Sequence, residues 1–165
     1  MITIISGGQT GVDQAALRAA QDCGLAYAGW CPPGRSSESG VIPARFLLRE
    51  TPQERSVGAP DVPRSLRTEW NVRDSDATLV LQPAARETDD AGTAWALRCS
   101  RRYGRPVLIC DPGDGQAPAQ IRTWLDREKI STLNVAGPSE RGAPGIGEQT
   151  YDVLMRVFAD MRPEA

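Results

Sequence analysis

The chain has 165 residues, a formal net charge of −2, four cysteines and no histidine. This length suits a single domain, residues 1–165, and the slightly acidic balance excludes the strongly basic surface of a typical nucleic-acid-binding protein. Because histidine is missing and no cysteines have C-x-x-C spacing, the sequence also excludes an ordinary Cys/His zinc site and a Ser-His-Asp triad.

The apolar stretches of the chain bear on its location. Met1 to Ile5 lacks the charged start and the long apolar core of a secretion signal, and no apolar stretch approaches the length of a membrane span. We therefore expect a cytoplasmic protein with reduced cysteines and without a membrane partner.

The first predicted element is a short strand that ends in a glycine-rich turn. The apolar run Ile2 to Ile5 leads into Ser6-Gly7-Gly8-Gln9-Thr10-Gly11-Val12-Asp13 and then into a helical pattern. Unpaired N–H groups at a helix start attract anions, and glycines let a phosphate approach the main chain. The turn therefore predicts a phosphate site, whose expected binding residues are Gly7, Gly8, Gln9, Thr10 and Gly11.

This turn also has a simpler interpretation as a tight connection that binds nothing. Its spacing matches neither the dinucleotide-binding G-x-G-x-x-G pattern nor a Walker A loop. Asp13 is expected either to cap the following helix or to bind a ligand hydroxyl. A Gly11→Val substitution is expected to remove the ligand and keep the fold, provided that the turn tolerates a side chain.

Short apolar runs alternate with helical patterns along the whole chain, which is typical of a parallel sheet covered by helices on both faces. The predicted strands are Ile2–Ser6, Ala26–Trp30, Ala77–Leu81, Pro106–Cys110 and Thr132–Ala136. The predicted helices are Val12–Cys23, Leu66–Asp74, Gly92–Tyr103, Ala117–Lys129 and Glu148–Met161. The pattern predicts an α/β fold, a three-layer sandwich around a mostly parallel sheet.

The segment from Cys31 to about Ser65 is too long for an ordinary connection, which indicates a functional or disordered loop. A strand is expected around Phe46 to Arg49. Among the arginines of this long segment and of the helix after it, we expect Arg35 to bind a phosphate or carboxylate, because it follows a Pro-Gly turn at the end of the second predicted strand. For the other arginines a solvated surface is the simpler interpretation, with phosphate contacts as the alternative at Arg45, Arg49, Arg67 and Arg73.

Two further segments are expected to place polar side chains near the glycine-rich turn Gly7–Gly11. Helical spacing puts Thr68 and Asn71 on one stripe, where they either face a ligand or make hydrogen bonds in the core. The Gly92 N–H and the Thr93 hydroxyl, at the start of the next helix, are expected to bind a second ligand group. A capping pair is the simpler interpretation of Asp89-Asp90, with Mg²⁺ as the alternative, so we predict no metal site.

Ligands of parallel α/β sheets bind outside the carboxyl ends of the strands. The turns expected at that edge are Gly7–Gly11, Cys31–Arg35, Gln82–Thr93, Asp111–Gly115 and Gly137–Ser139. Trp30 ends a strand there, and we expect it to be the tryptophan best placed to stack on a planar heterocycle.

Several blocks of this sequence resemble the molybdenum carrier family, the circularly permuted branch of the SLOG Rossmann-like nucleotide-binding superfamily. The blocks that carry the resemblance are Gly7-Gly8-Gln9-Thr10-Gly11-Val12-Asp13, Gly29-Trp30-Cys31-Pro32, Gly34-Arg35, the run from Arg67 to Asp76, Gly92-Thr93 and Ala136-Gly137-Pro138-Ser139. The match covers nearly the whole chain, and the segment Gly58 to Arg64 resembles a local insertion.

The resemblance implies a Rossmann-like fold and a homo-oligomer that binds a small phosphorylated ligand without chemical turnover. The implied ligand is the molybdenum cofactor, a pterin with a terminal phosphate, or a molecule derived from a nucleotide. The motif positions that the resemblance places in the pocket are Gly8, Thr10, Gly11, Arg35, Thr68, Asn71, Gly92 and Thr93. No catalytic residue is predicted, although the sequence leaves catalysis open.

The alternative function is a phosphoribohydrolase similar to the lysine-decarboxylase-like enzymes, which cut the N-glycosidic bond of nucleoside monophosphates. Those enzymes use a glycine-rich turn followed by a helical glutamate. Here the helix after Gly92-Thr93 continues Ala94-Trp95-Ala96-Leu97, so no carboxylate occupies the first turn, where a general acid is needed. Glu69 would have to substitute from another helix.

Overall fold

The computed structural model describes residues 1–84 and 90–161. The described residues form nine strands: β1 (Thr3–Ile5), β2 (Ala26–Ala28), β3 (Trp30–Cys31), β4 (Ser36–Ser37), β5 (Gly40–Val41), β6 (Arg49–Glu50), β7 (Ala77–Leu81), β8 (Val107–Cys110) and β9 (Thr132–Ala136). They also form five α-helices: α1 (Val12–Asp22), α2 (Ser65–Arg73), α3 (Ala91–Arg102), α4 (Ala117–Glu128) and α5 (Ile146–Phe158). Short 3₁₀ turns cover Pro33–Arg35 and Ala159–Met161.

Five strands form the central sheet in the order β2-β1-β9-β7-β8, and every neighbouring pair is parallel. If β9 were moved from the end of the chain to its start, the order would read 3-2-1-4-5, which is the Rossmann order. The sheet is therefore a Rossmann sheet whose first strand is supplied last by the chain. The predicted three-layer Rossmann-like sandwich is confirmed.

The helices cover the two faces of the sheet separately. On one face α1, α4 and α5 pack over the main core, where small residues such as Ala16 and Ala20 of α1 permit close approach to α5. On the other face α2 and α3 pack together around Val72 and Trp95. Every residue of β7 is buried, as expected for a central strand covered on both sides.

The second predicted strand is broken by a bend at Gly29. Gly29 has a φ of +149°, and a Cβ there would lie 2.0 Å from the Ser6 carbonyl oxygen, so only glycine lets the chain pass. The strand therefore splits into β2 in the sheet and β3, which pairs with β6 outside it. The strand expected around Phe46 to Arg49 begins only at Arg49.

The long segment between β3 and α2 is ordered by small local structures. The strands β4 and β5 form a short antiparallel hairpin whose tip is Glu38-Ser39. Ile42 and Phe46, both fully buried, anchor the segment against Leu17 of α1. No helix within 1–84 and 90–161 is both long and apolar enough to cross a membrane.

Candidate functional site

The main cavity lies at the carboxyl ends of β7 and β9, where the order of the sheet reverses. The loop after β9 leads to α5 on one face, and the loop after β7 leads to α3 on the other, so the two loops diverge and leave a crevice. The crevice has a volume of about 230 Å³. Its lining residues are Gln9, Asp13, Glu38, Pro63, Arg64, Arg67, Thr68, Asp90, Ala91, Gly92, Thr93, Ala96, Ala136, Gly137 and Ser139.

The structure brings some of the predicted site residues together and separates others. Those that line the main cavity are Gln9, Thr68, Gly92 and Thr93. Gly7 and Asn71 join Thr68 around a recess of about 10 Å³. Thr10 and Gly11 line a second, more open cavity of about 360 Å³ beside the first. Gly8 packs against Ile42 and Leu48, and neither it nor Arg35 lines these three spaces.

Main-chain amides of the first glycine-rich turn are bonded to the protein itself. The Gln9 N–H donates to Asp13 Oδ2 at 3.3 Å, and the Thr10 N–H donates to Gln9 Oε1 at 3.0 Å. The Val12 N–H donates to the Pro138 carbonyl at 3.3 Å. The Asp13 side chain thus bonds back to the turn and is not the N-cap of α1, a position that Gly11 occupies. These three donors are not available to a phosphate in this arrangement.

The glycines of this turn make room for protein atoms. A Cβ on Gly7 would lie 2.3 Å from Nη1 of Arg67, so the glycine lets the guanidinium pass. A Cβ on Gly11 would lie 2.6 Å from the Pro138 carbonyl oxygen, and the φ of Gly11 is +78°. The expectation that Gly11→Val keeps the fold is therefore wrong, because the new side chain would overlap backbone.

Arg67 and Asp13 form a buried ion pair at the base of the main cavity. Arg67 Nη1 lies 3.0 Å from Asp13 Oδ2, and the two side chains are 15% and 4% exposed. Burial raises the pKa of Asp13, and the opposing effects of Arg67 and of the Gln9 N–H do not fully compensate it. Asp13 therefore fixes the position of one arginine in the cavity.

Two guanidinium groups in the main cavity keep donors without a partner. The Nε atoms of Arg64 and Arg67 are buried, and neither finds an acceptor among the described residues. Arg64 directly precedes α2 and has a left-handed φ of +59°, an unusual conformation for a residue other than glycine. A strained, partly buried arginine that faces a cavity is typical of a binding site.

The start of α3 lies in the same cavity and is capped by Asp90. The Asp90 carboxylate accepts the Thr93 N–H at 2.8 Å and the Thr93 hydroxyl at 2.5 Å. Ala91 and Gly92, the other residues in the first turn of α3, also line the cavity. The prediction that Asp90 caps this helix is confirmed, whereas Asp89 lies outside the described residues. Within the described ranges no cluster of acidic or sulfur ligands is suited to a metal.

Removing this cap gives a direct test of the local structure. We expect Asp90→Ala to lower the free energy of unfolding by about 1 kcal/mol, because the Thr93 N–H loses its acceptor. Asp90→Asn keeps a capping oxygen and should cost only a few tenths of that amount. Urea unfolding of the two variants measures the difference, and equal losses would contradict the capping role.

Glu38, at the tip of the β4–β5 hairpin, separates the two cavities and lines both. Its Oε1 accepts the Thr10 hydroxyl and the Arg141 N–H, the latter at 3.0 Å. Its own N–H donates to Gln9 Oε1 at 3.0 Å. Burial acts to raise the pKa of Glu38, but the hydrogen bonds from Thr10 and Arg141 outweigh it, so the pKa lies below its usual value.

Another carboxylate occupies the start of α5. Glu140 accepts the Gly145 N–H at 2.5 Å and the Gly147 N–H at 3.1 Å. In the Rossmann order β9 and α5 form the first βα unit, the position at which dinucleotide-binding proteins hold a pyrophosphate. Here Glu140 fills that position, and the starts of α2 and α3 line the crevice instead.

Arg35 and Asn71 hold the long segment in place. Arg35 Nη2 donates to the carbonyl oxygens of Pro43 at 3.1 Å and Phe46 at 2.7 Å, and Asn71 accepts the Trp30 N–H at 2.7 Å. Both residues therefore make structural contacts close to the cavity. Trp30 itself packs edge-on against a neighbouring tryptophan outside the cavity lining, so it is not placed to stack on a ligand there.

All four cysteines are buried, and none of them forms a disulfide. Burial raises the pKa of Cys31 and Cys110, and it raises the pKa of Cys99 to about 12. Thiols with raised pKa values carry little thiolate at neutral pH. Cysteine therefore offers no nucleophile to this site.

Sequence reasoning missed several residues of the main cavity. Arg64 gave no signal, because its importance depends on a backbone conformation and on the course of the long segment. Arg67 was grouped with the surface arginines, although it opens the Arg67–Asp76 run that carries the family resemblance, and that run was available as a signal. Gly137 and Ser139 lay on the predicted edge but were not assigned to the site.

The sequence pattern of the circularly permutated YpsA SLOG family matches residues 4–158. The chain belongs to this family. The family description agrees with the strand order, since moving β9 to the front restores the Rossmann arrangement.

One solved structure supports membership of the circularly permutated YpsA SLOG family. A "Putative molybdenum carrier protein" from Syntrophus aciditrophicus is similar to this chain with 35% sequence identity and a TM-score of 0.83. The similarity covers 96% of this chain and 94% of the other. No curated protein gives a significant match.

Proposed function

We propose that this protein binds a small phosphorylated heterocycle in the main cavity and carries it without chemical turnover. The observation that supports the proposal most directly is the pair of arginines, Arg64 and Arg67, that line the cavity, each with a buried Nε donor that has no acceptor among the described residues. Guanidinium groups bind phosphate through paired N–H donors, and leaving such donors unpaired is unfavourable. A phosphate in the cavity would lie against both guanidinium groups.

The opposite wall of the cavity favours the same group. Ala91 and Gly92 at the start of α3 line the crevice, so the positive end of the helix dipole lies beside it. In the proposal the main-chain amides of these two residues bind the phosphate from one side and the two arginines bind it from the other.

The remaining lining is suited to a flat, weakly polar ring. Pro63, Ala96 and Ala136 supply apolar surface, while Gln9 and Thr68 supply hydrogen-bonding groups. The cavity of about 230 Å³ is smaller than typical sites for whole ligands of this size, which begin at about 300 Å³. Part of the ligand therefore extends beyond the cavity as it stands.

The molybdenum cofactor is the first candidate ligand, because the related protein from Syntrophus aciditrophicus is named for molybdenum. Its phosphate fits the arginine pair, but no described lining residue offers a thiol or imidazole for the metal. The residues here would thus hold the cofactor through its phosphate and ring, and the metal chemistry would be the cofactor's own. A nucleotide is the second candidate ligand.

The predicted site residues have different roles in the proposed binding of the ligand. Gln9, Thr68 and Gly92 contact the ligand, and Gly7 and Asn71 shape the recess beneath it. Thr93 lines the cavity, but its N–H and its hydroxyl both donate to Asp90, so it caps the helix instead of donating to the ligand. Thr10 and Gly11 belong to the adjoining cavity, while Gly8 and Arg35 support the turn and the segment around it. Cytoplasmic location and a homo-oligomeric state remain predictions.

Native mass spectrometry of freshly purified protein tests the proposal. We expect a copurified molybdopterin or nucleotide, and calorimetry should then show saturable binding of that ligand to the emptied protein. Incubation with common nucleoside monophosphates should leave them unchanged. Released ribose 5-phosphate would instead indicate the phosphoribohydrolase alternative, and no binding of pterin, nucleotide or inorganic phosphate would reject the proposal.

A further inference from the structure

The two cavities meet at Glu38, which lines both. Glu38 and its bonding partner Thr10 stand between the main cavity and the second one, whose other lining includes Arg18, Arg45 and Arg141. Arg45 and Arg141 form no ion pair with a described carboxylate. The second cavity is also lined by Glu140 and Glu148, and the main cavity by Asp13 and Asp90, so arginines and carboxylates lie on both sides of Glu38.

The donors around Glu38 converge from separate loops. The Thr10 hydroxyl comes from the turn before α1, and the Arg141 N–H comes from the loop between β9 and α5. Hydroxyl and main-chain N–H groups that converge on one carboxylate oxygen have the chemistry of an anion site. The carboxylate of Glu38 takes the position of the anion.

The hairpin that carries Glu38 is weakly fixed. Its strands β4 and β5 pair over only two residues each, and Ser39, Gly40 and Val41 are exposed. A Cβ on Gly40 would meet no atom within 4 Å, so the tip stands in open space. Displacing the Glu38 carboxylate breaks its bonds with the Thr10 hydroxyl and the Arg141 N–H, whereas the bond to Gln9 comes from the main-chain N–H of Glu38.

We propose that the Thr10 hydroxyl and the Arg141 N–H form a second anion subsite, which Glu38 fills until an anionic group of the ligand displaces it. The inference rests on the proposed function and narrows its ligand class. The ligand carries two separate anionic groups, one held by Arg64 and Arg67 and the other in place of the Glu38 carboxylate. With Glu38 displaced, the two cavities join, which provides the volume that the main cavity lacks.

Phosphate titration of Glu38→Ala tests the subsite. Inorganic phosphate is the probe, and native mass spectrometry and calorimetry report its stoichiometry and affinity. We expect wild-type protein to bind one phosphate and Glu38→Ala to bind two, the second at least tenfold more tightly than any second phosphate on wild type. Glu148→Ala is the matched control, because Glu148 also lines the second cavity but pairs with Arg18.

A second substitution separates the subsite from a general charge effect. Adding Thr10→Val to Glu38→Ala should remove the second phosphate and keep the first. The inference is overturned if Glu38→Ala binds only one phosphate, if Glu148→Ala gains a second phosphate equally, or if the second phosphate survives Thr10→Val. Failure of the proposed function is distinct, since it would appear as loss of the first phosphate site in wild-type protein.

Discussion

An Arg67→Ala variant is expected to lose phosphate binding and to have its free energy of unfolding lowered by about 3–5 kcal/mol. Asp13, which is 3% exposed beside Arg67, would lose its ion-pair partner, so the protein would hold a poorly compensated charge at the base of the cavity. Urea unfolding measures the stability and calorimetry with inorganic phosphate measures the binding. Arg18→Ala is the control, because its exposed pair with Glu148 should be worth less than about 1 kcal/mol.

The stability lost in Arg67→Ala should depend on pH in a direction that the pKa of Asp13 sets. Burial already raises the pKa of Asp13, and removal of Arg67 raises it further. A protonated Asp13 carries no charge, so the stability lost in Arg67→Ala should be smaller at pH 5 than at pH 8. The double variant Asp13→Asn with Arg67→Met should recover stability but not phosphate binding. If the double variant recovered binding as well, Arg67 would not be a ligand contact.

A Gly137→Ala variant is expected to be destabilised by about 3 kcal/mol or more, or to fail to fold. Its Cβ would lie 2.2 Å from the Leu81 carbonyl oxygen and 2.7 Å from Cγ2 of Val12. Backbone cannot yield as a flexible side chain does, so β7 and β9 would have to separate at the centre of the sheet. Thermal and urea unfolding, together with the soluble yield, measure the effect.

Gly115→Ala is the matched control for this prediction. A Cβ at Gly115 would meet no atom within 4 Å, and its φ is not positive. The control should be neutral or slightly stabilised, because alanine restricts the unfolded chain more than glycine does. A Gly137→Ala variant as stable as this control would show that the crevice is not closed at its base by β7 and β9.

The layered fold was predictable because burial on both faces leaves a continuous apolar run in the sequence. The ranges Ala77–Leu81 and Thr132–Ala136 were predicted as strands and match β7 and β9. The strand order was not accessible in the same way, because residues distant in sequence pair at the centre of the sheet. The bend at Gly29 also escaped prediction, since it depends on the approach of Ser6.

The residues of the candidate site were predictable where they belong to a turn that follows a strand. They were less predictable where the long segment 31–65 reaches the main cavity. Gln9 lies in the turn after β1, and Gly92 and Thr93 belong to the first turn of the helix that follows β7. The carboxyl ends of parallel strands meet at one edge of the sheet. Glu38 and Arg64 reach the cavity only through the path of residues 31–65, which no local pattern specifies. The same limit applies to the amides of the first turn, because their acceptors Asp13 and Pro138 are set by tertiary structure.

The position of β9 between β1 and β7 also affects how the molecule is assembled during synthesis. A nascent chain that ends before Thr132 contains two separate strand pairs, β1 with β2 and β7 with β8, because β9, which lies between them in the sheet, is missing. The crevice needs loops from both pairs and from β9 itself, so it cannot form before the segment that follows Ala136 has left the ribosome.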